Sequence, residues 1–262
     1  MSYTLHWNGA TFSGVIVERM DWPLAAPARD AGVDLTGRDG GFAGTMFYGK
    51  REINVPIVIS GQAQTSPAAT ARENYLARVD ALLRGLNTRT AGELYFDAQT
   101  DRYWLARFAG ADALTKISPW TGRTLLRFVA DDPFAYATAE STDEIVVTAD
   151  QQAFELESGG SAESWPAFVV TPGGGGAGLI VVENELRGER LAYGQALAAG
   201  KELRIDCSRQ VVEISDTGQG EWSASMLHVD GVFPALAPGT NSMVIYGADG
   251  ATLNVAWRDR YL

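Results

Sequence analysis

The clearest pattern in the chain is an alternation between residues 52 and 60. Ile53, Val55, Ile57 and Ile59 share one side, and Glu52, Asn54, Pro56, Val58 and Ser60 share the other. A period of two over that length predicts a strand with one face in a core. Pro56 removes a ladder donor, which predicts an edge strand or a bulge. A long edge strand with a partly polar outer face is either blunted against aggregation or built to pair with another chain. Arg51, Glu52, Asn54 and Pro56 are therefore candidates for a subunit interface. The β run is expected to begin near Ala43, after a tight turn at Gly37-Arg38-Asp39-Gly40-Gly41.

Upstream, residues 5–18 read as an opening strand pair around Asn8-Gly9, with Val15 and Val17 on one face and Ile16 and Glu18 on the other. Residues 19–34 hold two prolines and no clear period, and are expected to be loop. The period changes to helical between residues 66 and 86, with a helix at least over about 67–84. Ser66 is a candidate N-cap and Pro67 a first helical residue. Leu76, Val79, Leu83 and Leu86 form the expected buried stripe, Asp80 and Arg84 an i,i+4 pair, and Gly85 a C-terminal cap. Alternation returns at residues 93–97, 102–108 and 122–129, and Asp131-Asp132-Pro133-Phe134-Ala135-Tyr136 breaks the last run. A domain boundary is placed there, giving domains 1–136 and 137–262.

The second half reads as β throughout. Short strands recur every 8–12 residues with turn signals between them, including one over 224–229, which predicts a sandwich or jelly roll. Its last two strands, residues 242–246 and 252–257, are expected to form a hairpin across Gly247-Ala248-Asp249-Gly250. The fold class is therefore mainly β, in two domains, the first with one helix.

Composition adds limits. An apolar share of 46% is enough for two real cores. Residues 1–136 carry 14 Lys+Arg and 14 Asp+Glu, and residues 137–262 carry 7 and 18, so the whole net charge of −11 lies in the second half. An acidic surface disfavours nucleic-acid binding. One cysteine, Cys207, excludes an internal disulfide and a cysteine-based metal site, and fits a reducing cytoplasm. No signal peptide and no apolar run of membrane-spanning length are visible. Eighteen arginines against three lysines suggest a GC-rich coding genome.

Candidate chemistry is sparse. Pro172-Gly173-Gly174-Gly175-Gly176-Ala177-Gly178 lacks the Gly-Lys-Ser/Thr of a phosphate loop and reads as an inter-strand loop. His6 and His228 fall in predicted strands, with no Gly-x-Ser-x-Gly elbow anywhere. No Asp-x-Asp-x-Asp-Gly calcium loop occurs, so neither cofactor nor metal is expected, and no enzymatic activity. Trp222, in Gly218-Gln219-Gly220-Glu221-Trp222-Ser223, is the one tryptophan set in a polar loop and is a candidate sugar platform.

Two groups of residues carry a resemblance. One is Gly37-Arg38-x-Gly40, leading to Phe47-Tyr48-Gly49-x-Arg51-x-Ile53. The other runs from Val182-x-Asn184 through Gly200-x-x-Leu203-x-Ile205-Asp206 to Phe233-Pro234-x-Leu236-x-Pro238-Gly239-x-Asn241 and the terminal Arg260-Tyr261-Leu262. Asp132-Pro133-Phe134-Ala135-Tyr136 is similar to the family's inter-domain junction. Their order and spacing resemble the distal tail proteins of long-tailed, non-contractile bacteriophages. The resemblance implies a tail-tube-like β-sandwich with one helix that builds a homohexameric ring, and a galectin-like β-sandwich that projects outward and can dock adhesins. It implies a structural role in the virion tail tip, between the tail tube protein and the tail-tip hub protein, with DNA only in transit and no membrane insertion. The alternative function is a carbohydrate-binding module for host-envelope glycans.

Overall fold

The computed structural model describes residues 3–19, 25–30, 32–34, 41–42, 46–61 and 68–262. The turn holding Gly37, Arg38 and Gly40, and the helix start at Ser66 and Pro67, lie outside the described residues. Contacts divide the chain into two units that meet between Thr138 and Ala139. No helix among the described residues is long and apolar enough to cross a membrane.

The first unit is built on one antiparallel sheet. Its strands follow the order Ala10–Thr11, Leu5–Trp7, Gly92–Phe96, Gln99–Ala111, Thr121–Ala137, Arg51–Ser60, Val15–Val17. Asn8 (φ 51°) and Gly9 (φ 73°) supply the left-handed turn that a two-residue hairpin needs. Val15–Val17 does not join that hairpin; it pairs with residues 57–59 at the far end of the order. The amide of Tyr3 donates to the Val17 carbonyl at 3.2 Å and the reverse bond measures 2.9 Å, so the sheet curls until its two ends meet. Trp7, Leu94, Phe96, Phe128, Ile53 and Ile57 fill the interior of the curl.

Arg51–Ser60 is less of an edge than Pro56 suggests. It pairs along its whole length with Thr121–Ala137, and its second half also pairs with Val15–Val17. The Pro56 carbonyl accepts the Glu18 amide at 3.0 Å on the second side, so the missing proline donor faces the point where that neighbour ends. Thr121–Ala137 runs on through Pro133 instead of stopping. Its pairing to Gln99–Ala111 is nonetheless interrupted there, between Ala130 opposite Ala106 and Ala135 opposite Trp104, as a proline-bearing bulge requires. Ala28–Asp30 and Val33–Asp34 are short strands within the stretch expected to be loop.

The helix spans Ala68–Leu86 and packs on Arg51–Ser60. Its buried side is Ala71, Tyr75, Leu82 and Leu86, whereas Leu76 and Leu83 are 54% and 52% exposed. The expected stripe is thus corrected by roughly one residue step around the helix. The helix approaches so closely that a Cβ at Gly61 would lie 2.0 Å from the Ala71 carbonyl oxygen. Gly85 is a packing contact against Phe12 inside the helix and does not cap it. Among the described residues, Asp80 and Arg84 form no ion pair.

The second unit, Ala139–Tyr261, is a sandwich of two antiparallel sheets. One has the order Ser141–Val146, Thr252–Trp257, Ala167–Thr171, Lys201–Asp206, Val211–Asp216, Ser223–Ala224. The other has the order Gln151–Ser158, Gly239–Tyr246, Ile180–Asn184, Glu189–Tyr193, Val229–Gly231. Phe168, Leu203, Ile205, Leu253 and Val255 from the first meet Val182, Leu191, Tyr193, Met243 and Ile245 from the second in one core. The strand expected over residues 224–229 is instead Ser223–Ala224, a 3-10 turn Met226–His228 and the start of Val229–Gly231.

The expected closing hairpin does not form. Gly239–Tyr246 and Thr252–Trp257 belong to different sheets, and residues 247–251 carry the chain across the core edge. Ala248 and Ala251 are buried within that arch. Gly247 has φ 72°, and a Cβ there would lie 1.7 Å from the Leu179 carbonyl oxygen. Two apolar inner faces that oppose each other across a core must come from an arch, because paired neighbours would share one sheet.

Candidate interaction surfaces

The four interface candidates on Arg51–Ser60 separate into two sets. Glu52 and Asn54 face out, and Pro56 is half-buried. Arg51 lies on the core face, 2% exposed, and among the described residues its Nε and Nη2 have no hydrogen-bond partner. Burial lowers its pKa. Arg51 is therefore not part of the outward surface in this chain.

Apolar side chains that the alternation pattern did not flag lie nearby in sequence. Met46–Tyr48 pairs with Ala28–Asp30, and Met46 and Phe47 are 65% and 56% exposed. Tyr48 sets its ring edge against Phe134 at 5.9 Å, and the buried Gly49 donates its amide to Pro27 at 2.7 Å. Ile117, on the short strand Thr115–Ser118, is also largely exposed. With Leu76 and Leu83, Met46, Phe47 and Ile117 are the most exposed large apolar side chains of the first unit among the described residues.

Lys50, Arg107 and Asp131 of the same unit are mutually paired. Asp131 accepts from Arg107 Nε at 2.8 Å and from Lys50 Nζ at 2.6 Å, which holds its carboxyl well below the usual range.

In the second unit, residues 233–241 form a tied-down turn. Pro234, Ala235, Leu236 and Asn241 are buried, while Phe233 is half-buried and Pro238 exposed. Leu236 bridges to Ser164 through bonds of 2.9 and 2.8 Å. Asn241 Oδ1 accepts the Ala237 amide at 2.8 Å, and its Nδ2 donates to the carbonyls of Ala237 and Gly239 at 2.8 and 3.0 Å. Asn184 Nδ2 donates to the Ala235 carbonyl at 2.6 Å and to Asn241 Oδ1 at 3.2 Å. Gly239, at φ 89°, starts the strand that carries Asn241. These contacts make the segment architecture.

At the C-terminus, Asp259 accepts from Ser158 Oγ and the Gly159 amide, at 3.0 and 3.1 Å. Arg260 donates to the Glu163 carbonyl at 3.0 Å and stands 4.3 Å from the Trp165 ring centroid. Tyr261 is half-buried beside it. His6 stacks on Tyr95 at 4.4 Å, and His228 meets the Tyr193 ring edge-on. Trp222 is half-buried, with the Arg204 guanidinium 5.9 Å from its ring centroid.

Comparison with known proteins agrees with this architecture. The sequence model for a phage tail protein RIFT-related domain matches residues 19–130, and that for the siphovirus-type tail component, C-terminal domain, matches residues 159–261. The crystal structure of the Dit protein of phage SPP1, described as a hub adsorption apparatus of phages infecting Gram-positive hosts, aligns over 99% of both chains. Its TM-score is 0.75 and its identity 16%. The chain belongs to the distal tail protein family. Two structures of the activated phage p2 baseplate, one with Ca and one with Sr, align over 97% of each chain, with TM-scores of 0.51 and 0.50 at 8% and 9% identity. No curated protein sequence matches. The distal tail protein described here is thus a structural component of a phage tail tip, located in the virion.

Proposed function

We propose that this distal tail protein closes into a homohexameric ring between the tail tube protein and the tail-tip hub protein, and that DNA passes through the ring during ejection. The observation that carries the reading is the outward pair Leu76 and Leu83, on a helix that buries Ala71, Tyr75, Leu82 and Leu86 against its own unit. Two leucines seven residues apart lie on one helix face, and leaving both half in water is unfavourable unless a neighbour covers them. Met46, Phe47 and Ile117 are further exposed apolar side chains of the same unit that a neighbouring copy would cover. Glu52 and Asn54 are the polar candidates for the same contact, while Arg51 supports it from the core side.

The equal counts of 14 cations and 14 anions in residues 1–136 suit a passage that must not hold DNA. The acidic second unit is the part available to adhesins or host glycans. Sedimentation velocity tests the ring: Leu76→Glu combined with Leu83→Glu should convert the assembly to folded monomer. An assembly of unchanged size in that variant would rule out the helix face as the contact.

A further inference from the structure

The outer face of the six-stranded sheet holds a cleft of about 630 Å³, within the second unit. Its shape follows from strand register. Glu144 lies opposite Asn254, Asn254 opposite Val169, and Val169 opposite Arg204, so these four side chains form one row across four strands. In the next row, Thr142 lies opposite Ala256, and Ala256 opposite Ala167. The small residues Ala167, Val169 and Ala256 make a low floor. Glu144 and Thr142 stand at one wall and Arg204 with Trp222 at the other. Three strand spacings of ~4.8 Å put the walls roughly 14 Å apart, room for one or two pyranose rings laid across the strands.

We propose that this cleft binds a neutral saccharide, with Trp222 as the stacking platform and Glu144, Asn254 and Arg204 as the hydroxyl-binding groups. The half-buried indole presents an apolar ring beside polar groups, which suits the mixed faces of a pyranose. Glu144, Asn254 and Thr142 have no side-chain hydrogen-bond partner among the described residues. A carboxylate accepts from hydroxyls, an amide both donates and accepts, and a guanidinium donates. Charge narrows the choice. Glu140, Asp143 and Glu144 line the cleft against the single cation Arg204, which already donates to Asp206 at 3.3 Å. That surplus repels phosphates and acidic sugars and leaves neutral hydroxylated ligands favoured. Gly218 (φ 76°) and Gly220 (φ 68°) shape the loop that holds Trp222 over the sheet edge.

The test is calorimetric titration of the full-length protein with neutral hexoses, N-acetylhexosamines and their disaccharides, with sialic acid and inorganic phosphate as anionic comparators. The expected result is saturable binding of at least one neutral sugar, in the micromolar to millimolar range, with no binding of the comparators. Trp222→Ala and Asn254→Ala should each weaken it about tenfold with an unchanged melting temperature. If Trp222→Ala unfolds the unit, Asn254→Ala and Glu144→Gln carry the test, since both residues are exposed. Absence of binding across the neutral panel, binding that ignores these substitutions, or equal binding of the anions would each overturn the proposal. None of these outcomes bears on ring formation, which is read from the oligomeric state.

Discussion

Asn184 donates through Nδ2 to Asn241 Oδ1 at 3.2 Å, and both side chains are fully buried. The bond joins the end of the strand Ile180–Asn184 to the start of its sheet neighbour Gly239–Tyr246. Together the two amides also hold Ala235, Ala237 and Gly239 in the turn and the Leu186 amide on the other side. Removing one member strands several backbone groups that are at least partly shielded from water, together with the buried amide of its partner. Asn241→Ala should therefore cost about 3 kcal/mol in denaturant unfolding. Asn184→Ala should cost a similar amount, and the double variant less than the sum, because each strips partners from the other. Strict additivity would show that the two amides act separately.

The arch between the two sheets gives a sharper contrast. Gly247→Ala must push a Cβ against the Leu179 carbonyl oxygen, at a position that also has φ 72°. It should cost more than about 3 kcal/mol or abolish soluble expression. Gly250 has φ 77° with open space around it, so Gly250→Ala should cost only about 1 kcal/mol. Equal effects in thermal melts would mean that the tight approach at Gly247 is wrong.

The two sides of the helix should respond differently. Leu82→Ala empties a core position and should cost about 2–5 kcal/mol. Leu76→Ala and Leu83→Ala should stay within about 0.5 kcal/mol in the dissociated chain, while weakening self-association. Chemical denaturation at low protein concentration, set beside sedimentation at high concentration, separates the two effects.

Cys207 is buried in the core of the second unit. Burial, reinforced by the negative charges of Asp206 and Glu189, pushes its thiol well above the ordinary value. Above the unfolded pKa of about 8.5 the unfolded chain would expose thiolate while the folded chain keeps thiol. A maleimide should thus label Cys207 slowly in the native protein and rapidly in denaturant. Rapid native labelling at neutral pH would contradict the packing.

Much of the fold was legible because alternation is a local signal. Ile53, Val55, Ile57 and Ile59 face the core as their spacing requires. The helix face departs from its leucine spacing because Ala71 and Tyr75 take core positions while the leucines are divided between the core and the outer side. The arch was misread because two alternating strands joined by four turn-prone residues look the same as a hairpin. Apolar Ala248 and Ala251 were the available sign that the loop itself is buried. Asn184 and Asn241 were both visible as motif residues, but 57 positions separate them, and only sheet order brings them together. The cleft beside Trp222 was partly legible: the tryptophan stood out in its polar loop, whereas Glu144, Asn254 and Arg204 come together only through register.

Electron microscopy of the purified full-length protein, with native mass spectrometry of the same sample, tests the central claim most directly. The account predicts closed rings of six copies with an open centre, lost in the Leu76→Glu, Leu83→Glu variant. Folded monomers at every concentration, or open filaments in place of closed rings, would contradict it.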